Sequence, residues 1–214
     1  MKRVTKKECK NQKQFALNIL KSLQDKFSNK YKFSYKLVGS AVWNTIIKDN
    51  HNFYDLDYQI LLTKNSYEYK NNKLSNPTTI KEDFFNCIYN LFKNNKNIKI
   101  ENSTTAITLI NNSAKFSIDF VILKLFPQNN QIIKRNNKLN SSINEYTWNE
   151  LPKLNKAYIK FNNLSIKEKT DLIENHILPR KVKEKSKNSE DKTKKSSFEI
   201  FIEEVNNYVY RKSN

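Results

Sequence analysis

Apolar residues recur every three or four positions along residues 10–28 (KNQKQFALNILKSLQDKFS), with Phe15, Ile19, Leu20, Leu23 and Phe27 on one side. That spacing predicts an amphipathic helix. Residues 31–38 (YKFSYKLV) predict a strand, 41–48 (AVWNTIIK) a short helix or turn, and 49–52 (DNHN) a loop. Residues 54–62 (YDLDYQILL) alternate and then become apolar, the pattern of a half-buried strand. A polar connection at 65–76 leads to 77–95, where Pro77 precedes Phe84, Phe85, Ile88, Leu91 and Phe92 at helical spacing. Three strands follow, in NIKIEN, TAITLIN and AKFSIDFVIL, the last covering 114–123.

Beyond Phe126 the texture changes. Residues 127–146 are polar, with one short strand expected at 131–134, and 147–165 mix aromatics with lysines. Ser165 with Glu168 three residues on forms a capping-box pattern, opening a helix expected to end near Pro179. Residues 181–197 (KVKEKSKNSEDKTKKSS) are almost purely charged and polar and read as a mobile loop. Residues 197–212 carry Phe198, Phe201, Ile202, Val205 and Val209 on one face and predict a closing helix. The order predicts an α/β (α+β) fold: a mixed-sheet core with its N-terminal helix over 1–126, and a short helical C-terminal extension over 127–214.

Composition narrows the class. The 214 residues are long enough to bury a core, and the 37% hydrophobic fraction is supported by 13 Phe, 11 Tyr and 2 Trp. No apolar stretch approaches the ~20 residues that span a bilayer, and no apolar signal core follows the basic N-terminus. The expectation is a soluble cytoplasmic protein without membrane partners. Cys9 and Cys87 are too few for a disulfide framework, and with His51 and His176 they show no zinc-ligand spacing. The net charge of +18 suits a polyanionic partner such as RNA, DNA or nucleotide phosphate. Heavy use of Lys, Asn and Ile is also what AT-rich codons produce, so charge alone points only weakly.

The candidate chemistry lies in carboxylates. Asp55 and Asp57 flank Leu56, and period two puts both on one strand face. Asp119 interrupts an otherwise apolar strand, where a lone charge is costly unless paired or metal-bound. If the two strands are neighbours, three carboxylates converge on a site for Mg²⁺, which takes oxygen ligands and substrate phosphates. The chain has one glycine, Gly39, where about 7% is usual. It falls between a strand ending at Val38 and Ser40, which is expected to open a helix. Glycine allows a close backbone approach to a ligand, a helix N-terminus offers N–H groups to a phosphate, and Ser40 adds a hydroxyl. The plainer alternatives are an ordinary turn at Gly39, a polar edge face for Asp55 and Asp57, and a hydrogen-bonded structural role for Asp119.

Taken together, LVGS, fourteen residues, DLDYQI and a later apolar strand with one Asp resemble the DNA polymerase beta-like nucleotidyltransferase superfamily. The resemblance covers about residues 33–126 and is nearest to the branch of oligoadenylate synthetases and cyclic-nucleotide synthases, which also shows a threonine after the Gly-Ser turn, here Thr45. It implies a Mg²⁺-dependent transferase, with two metal ions (Mn²⁺ being the alternative) on Asp55, Asp57 and Asp119. Asp119 would also help to activate the incoming hydroxyl. Gly39, Ser40 and Thr45 would serve a nucleoside triphosphate such as ATP. A second likeness lies in EYTWNELPKLNKAYIKF, a Trp followed four residues later by Pro and a helix. In that branch the helix can offer a lysine to the triphosphate, which here implicates Lys156 and Lys160, four apart and so on one helical face. A solvated lysine face is the plain alternative.

The C-terminal part is shorter than in second-messenger synthases. Small members of the superfamily modify RNA, proteins or small molecules, and the lysine-rich 181–195 would suit an RNA acceptor. An RNA 3′ end and a second nucleotide therefore both stand as acceptors. A different class, a non-catalytic RNA- or DNA-binding protein on the same scaffold, predicts salt-sensitive binding without turnover. An aminoglycoside-type transferase would want an acidic pocket, which the basic charge disfavours.

Overall fold

The computed structural model describes residues 1–63, 76–125, 131–136, 145–151, 155–187, 191 and 193–213. The polar connection at 65–75, Pro152 and parts of the 181–197 stretch lie outside the described residues. The chain forms two compact units: Lys6–Val38 with Asp55–Leu151, and Met1–Thr5 with Gly39–Tyr54 and Pro152–Asn214.

The first of these holds the sheet. Its strands are β1 (Phe33–Val38), β2 (Tyr54–Leu62, from Asp55 on), β3 (Ile98–Asn102), β4 (Ala106–Asn111), β5 (Phe116–Lys124), β6 (Gln131–Arg135) and β7 (Tyr146–Glu150). The seven-stranded sheet runs β1-β2-β5-β4-β3, and β6 adds β7 beside β5. The strand expected at 131–134 is thus present and pairs with a second. The extension expected to be helical begins with a hairpin, because Ile133 and Tyr146 bury alternate side chains over the sheet.

Helices α1 (Lys10–Lys26) and α2 (Pro77–Phe92) belong to this unit. Asn76 caps α2 by accepting from the Thr78 N–H at 2.9 Å, and Pro77 occupies the first turn, where no N–H is needed. Ala16, Ile19, Leu20 and Leu23 of α1 and Ile80, Phe84 and Ile88 of α2 are buried. Phe27, Tyr31 and Phe33 surround the Phe84 ring at centroid distances of 4.7–5.5 Å.

One buried residue on α2 is a lysine. Lys81 is fully buried, donates to the Thr105 carbonyl at 2.8 Å and lies 5.5 Å from the Tyr146 ring. Burial, then the nearby Arg135 guanidinium, holds its pKa down at about 7 against an ordinary 10.5, with Asp119 opposing. The unfolded chain therefore binds the extra proton between about pH 7 and 10.5, and stability rises with pH across that window. Tyr58, pushed up to about 12 chiefly by burial, acts in the opposite sense above pH 10. Denaturant melts should show stability climbing from pH 7 to 9.5, and Lys81→Met should flatten the climb. A slope unchanged in that variant would remove Lys81 as its source.

The second unit is built on helices α3 (Asn155–Asn163), α4 (Ile166–Asp171), α5 (Leu178–Ser186) and α6 (Ser197–Ser213). The capping box is formed: the Glu168 N–H donates to Ser165 Oγ at 3.3 Å, and the Ser165 N–H donates to Glu168 Oε2 at 2.7 Å. Ala157, Phe161, Leu172, Ile177, Phe201 and Val205 make the core. Trp43 packs into it, 4.6 Å from the Phe161 ring and 6.1 Å from Phe201. The helix expected to stop near Pro179 continues instead. Leu172–Ile177 makes a π-helical turn, and Pro179 falls in the first turn of α5, where its missing N–H is tolerated. Residues 181–186, expected in a mobile loop, are therefore helical: Lys181 and Glu184 turn inward, Lys185 donates to the Ile47 carbonyl and Lys183 faces water. Among the described residues no helix is long and apolar enough to cross a membrane.

Candidate functional site

Alternation in two strands sets the carboxylate face. In β2, Leu56, Tyr58, Ile60 and Leu62 are buried, leaving Asp55 and Asp57 on the opposite side. In β5, Phe116, Ile118, Phe120 and Ile122 are buried, leaving Ser117 and Asp119 on the opposite side. β2 and β5 are neighbours, and the Ser117 hydroxyl donates to Asp55 Oδ1 at 2.5 Å, so the two polar sides coincide. β4 contributes Thr108, paired in register with Asp119, whose Oδ1 accepts from the Thr108 hydroxyl at 2.6 Å.

Burial raises the Asp119 pKa above the usual carboxylate value; the Thr108 hydroxyl opposes this, the Asp55 carboxylate adds to it, and Lys81 opposes it. Two facing carboxylates that repel are the donor chemistry a divalent cation relieves. Their arrangement is less complete than the sequence led us to expect. Among the described residues no three His, Cys, Asp or Glu side chains are grouped so as to hold a metal ion. Asp55 and Asp119 are each turned to a hydroxyl of a neighbouring strand, from which a cation would have to draw them.

The glycine turn lies in the other unit. Gly39 has φ 66°, a left-handed conformation that costs other residues about 1–2 kcal/mol. Asn44, Asn52 and Lys115 hold φ of 55–64° without glycine, so this conformation favours Gly39 without requiring it. The helix expected to open at Ser40 is only a three-residue 3₁₀ turn, Gly39–Ala41. A helix dipole therefore contributes nothing; residues 42–44 continue as a turn, and Ile47 bridges to Arg3. The polar groups of this turn are held by Lys181. Its side chain is 3% exposed, and its Nζ donates to Ser40 Oγ at 2.8 Å and to the Thr45 carbonyl at 2.6 Å. The buried Thr45 hydroxyl also lies 3.4 Å from the Ser40 carbonyl.

Lys156 is exposed on α3, and Lys160 donates to Asn206 Oδ1 at 2.7 Å on α6. Among the described residues neither makes a hydrogen bond to the Gly39 turn. Sequence reasoning missed Lys181 because it opens a run of lysines. The signal was its place with Ile177 and Glu184 on one helical face.

No protein-family model and no curated protein matches the sequence. Solved structures do match. The STING-associated CdnE c-di-GMP synthase from Capnocytophaga granulosa aligns with a TM-score of 0.64 and 20% identity, covering 100% of this chain and 64% of its own. Escherichia coli DncV, bound to 3′-deoxy GTP, aligns at 0.63 and 13% identity over 84% of this chain and 47% of its own. Vibrio cholerae DncV, bound to 3′-deoxy ATP, aligns at 0.61 and 14% identity over 83% and 45%. The chain spans about half the length of these DncV structures. What it shares with them is the fold: its sheet and flanking helices are arranged as in these cyclic-nucleotide synthases.

Proposed function

We propose that the chain is a nucleotidyltransferase that moves a nucleoside monophosphate from an NTP to a hydroxyl of a second nucleotide. The carrying observation is that Asp55 and Asp119 face the same side of neighbouring strands and repel there, in the fold of solved cyclic-nucleotide synthases. The 3′-deoxy nucleotides bound to the two DncV structures and the c-di-GMP synthase activity of CdnE favour a nucleotide over an RNA 3′ end as acceptor. In functional terms the catalytic core is 1–126 and 127–214 its extension.

Gly39 lets the backbone approach the NTP phosphates, and Ser40 presents its hydroxyl to them. Thr45 fixes the turn through its backbone carbonyl. Lys181, already hydrogen-bonded to Ser40, takes the phosphate-facing role that the resemblance gave to Lys156 and Lys160. Once turned from their hydroxyl partners, Asp55 and Asp119 would hold Mg²⁺ together with Asp57, and the ion would supply charge neutralisation at the transferring phosphoryl group. Asp119, with its pKa raised, is suited to accept the proton of the attacking hydroxyl. The new bond joins the acceptor oxygen to the α-phosphorus, the bond from that phosphorus to the bridging oxygen breaks, and pyrophosphate leaves.

The test is incubation with each labelled NTP and Mg²⁺, with and without bulk RNA, against an Asp55→Ala/Asp57→Ala control. A small product formed without RNA, absent from the control, is expected. Label joining RNA would instead identify a tailing enzyme. RNA binding with no turnover would identify a binding protein on this scaffold.

A further inference from the structure

The lysines that looked suited to RNA are largely engaged within their own unit. Lys181 holds Ser40 and Thr45, and Lys185 donates to the Ile47 carbonyl at 2.8 Å. Lys187 pairs with Glu184 at 2.9 Å, Lys194 donates to the Lys187 carbonyl at 3.0 Å, and Lys195 pairs with Glu203. A polyanion meeting this stretch would have to displace those partners.

A different surface is better built for one. The end of α2 and the start of β3 enclose an open groove of about 440 Å³. Tyr89, Phe92, Lys93, Lys96, Lys99 and Asn112 line it, and no carboxylate does. Lys93 and Lys96 are exposed, and neither ammonium has a partner among the described residues. Lys99 pairs with Glu101 at 2.6 Å, but both side chains are exposed, and such a pair is worth only about 0–1 kcal/mol and is easily exchanged. Tyr89 is 47% exposed, and its ring stacks on Phe85 at 6.0 Å and 20°. Nearly half of Tyr89 remains exposed beside that stack, available to a second flat partner. Unpaired cations around an aromatic-lined concavity are what single-stranded nucleic acid uses: phosphates meet the lysines and a base meets the ring. A lipid surface would satisfy the charge but offers no flat group to the tyrosine.

We propose that this groove is a docking site for a single-stranded nucleic acid, with a base against Tyr89 and the adjoining phosphates on Lys93, Lys96 and Lys99. The site is separate from the residues assigned to nucleotidyl transfer, so it stands whether or not that reaction does.

The test is fluorescence anisotropy with a short labelled oligoadenylate across a NaCl series. Lys93→Gln/Lys96→Gln/Lys99→Gln should weaken binding at least about tenfold. It should also make the log–log salt dependence shallower by about 2, since each single-strand phosphate contact contributes about 0.7. Tyr89→Ala should weaken binding by roughly tenfold at every salt concentration with the slope unchanged. Lys183→Gln/Lys187→Gln/Lys194→Gln should have the smaller effect. NTP turnover without RNA should be the same in the groove variants as in the parent. Equal binding by the triple groove variant, or a larger loss in the tail variant, would overturn the proposal. So would displacement of the strand by AMP at equal nucleotide concentration, or by anionic vesicles.

Discussion

Asp119→Asn is expected to remove NTP turnover without lowering the protein's resistance to heat. The two effects have one origin. Asp119 is a largely buried carboxylate, and burial and the facing Asp55 raise its pKa. The folded state therefore holds its proton more tightly than the unfolded chain. Stability falls as pH rises from the unfolded pKa of 3.8 through the raised folded value, and the penalty is complete above that value. Asn removes the charge and still accepts the Thr108 hydroxyl, now 2.6 Å from the carboxylate. The melting temperature at pH 7 should stay level or rise, and its decline between acid and neutral pH should flatten. Turnover should fall at least about 10³-fold, or roughly 4 kcal/mol of transition-state stabilisation. Asp57→Ala should match that loss. A folded Asp119→Asn protein within tenfold of the parent would end the assignment of this carboxylate to the chemistry.

How far the sequence disclosed this arrangement depends on periodicity. In β2 period two put Asp55 and Asp57 on one face, Asp119 stood out as a lone charge in an apolar strand, and the two polar faces coincide. Caps were equally legible, because Ser165 with Glu168 and Pro77 at a helix start act through their nearest neighbours. The π turn before Pro179 was not, since a proline after a helical run ordinarily marks a stop. Nor were the two buried lysines. A lysine in a basic run looks solvated until its helix is seen to turn it inward, as α5 does Lys181. Lys81 was the more readable of the two: it sits with Phe84 and Ile88 on the apolar stripe of α2. The side-chain rotations that turn Asp55 and Asp119 to hydroxyls lie below the resolution of any spacing rule.

Lys181→Met should be the most damaging substitution outside the carboxylates. The ammonium is nearly excluded from water and donates to Ser40 Oγ and the Thr45 carbonyl. Met fills a similar volume but donates nothing, and the Thr45 carbonyl loses its lysine donor. An unsatisfied buried acceptor costs about 1–3 kcal/mol, so the variant should melt several degrees earlier. If the lysine only braces the turn, that loss is the whole effect, and kcat and KM measured well below the melting point remain near the parent values. If it also meets the phosphates, hydrogen bonds to a charged ligand worth roughly 1.5–3 kcal/mol are lost as well. That corresponds to a fall in kcat/KM of about 10- to 100-fold, carried mainly by KM for the NTP. Lys181→Arg keeps the charge but cannot reproduce the compact ammonium between two oxygens, and it should recover only part of the activity. Lys156→Met, on the exposed face of α3, should change neither melting nor KM. A folded Lys181→Met protein with an unaltered KM would leave Lys181 as a brace of the Gly39 turn and return the phosphate role to another cation.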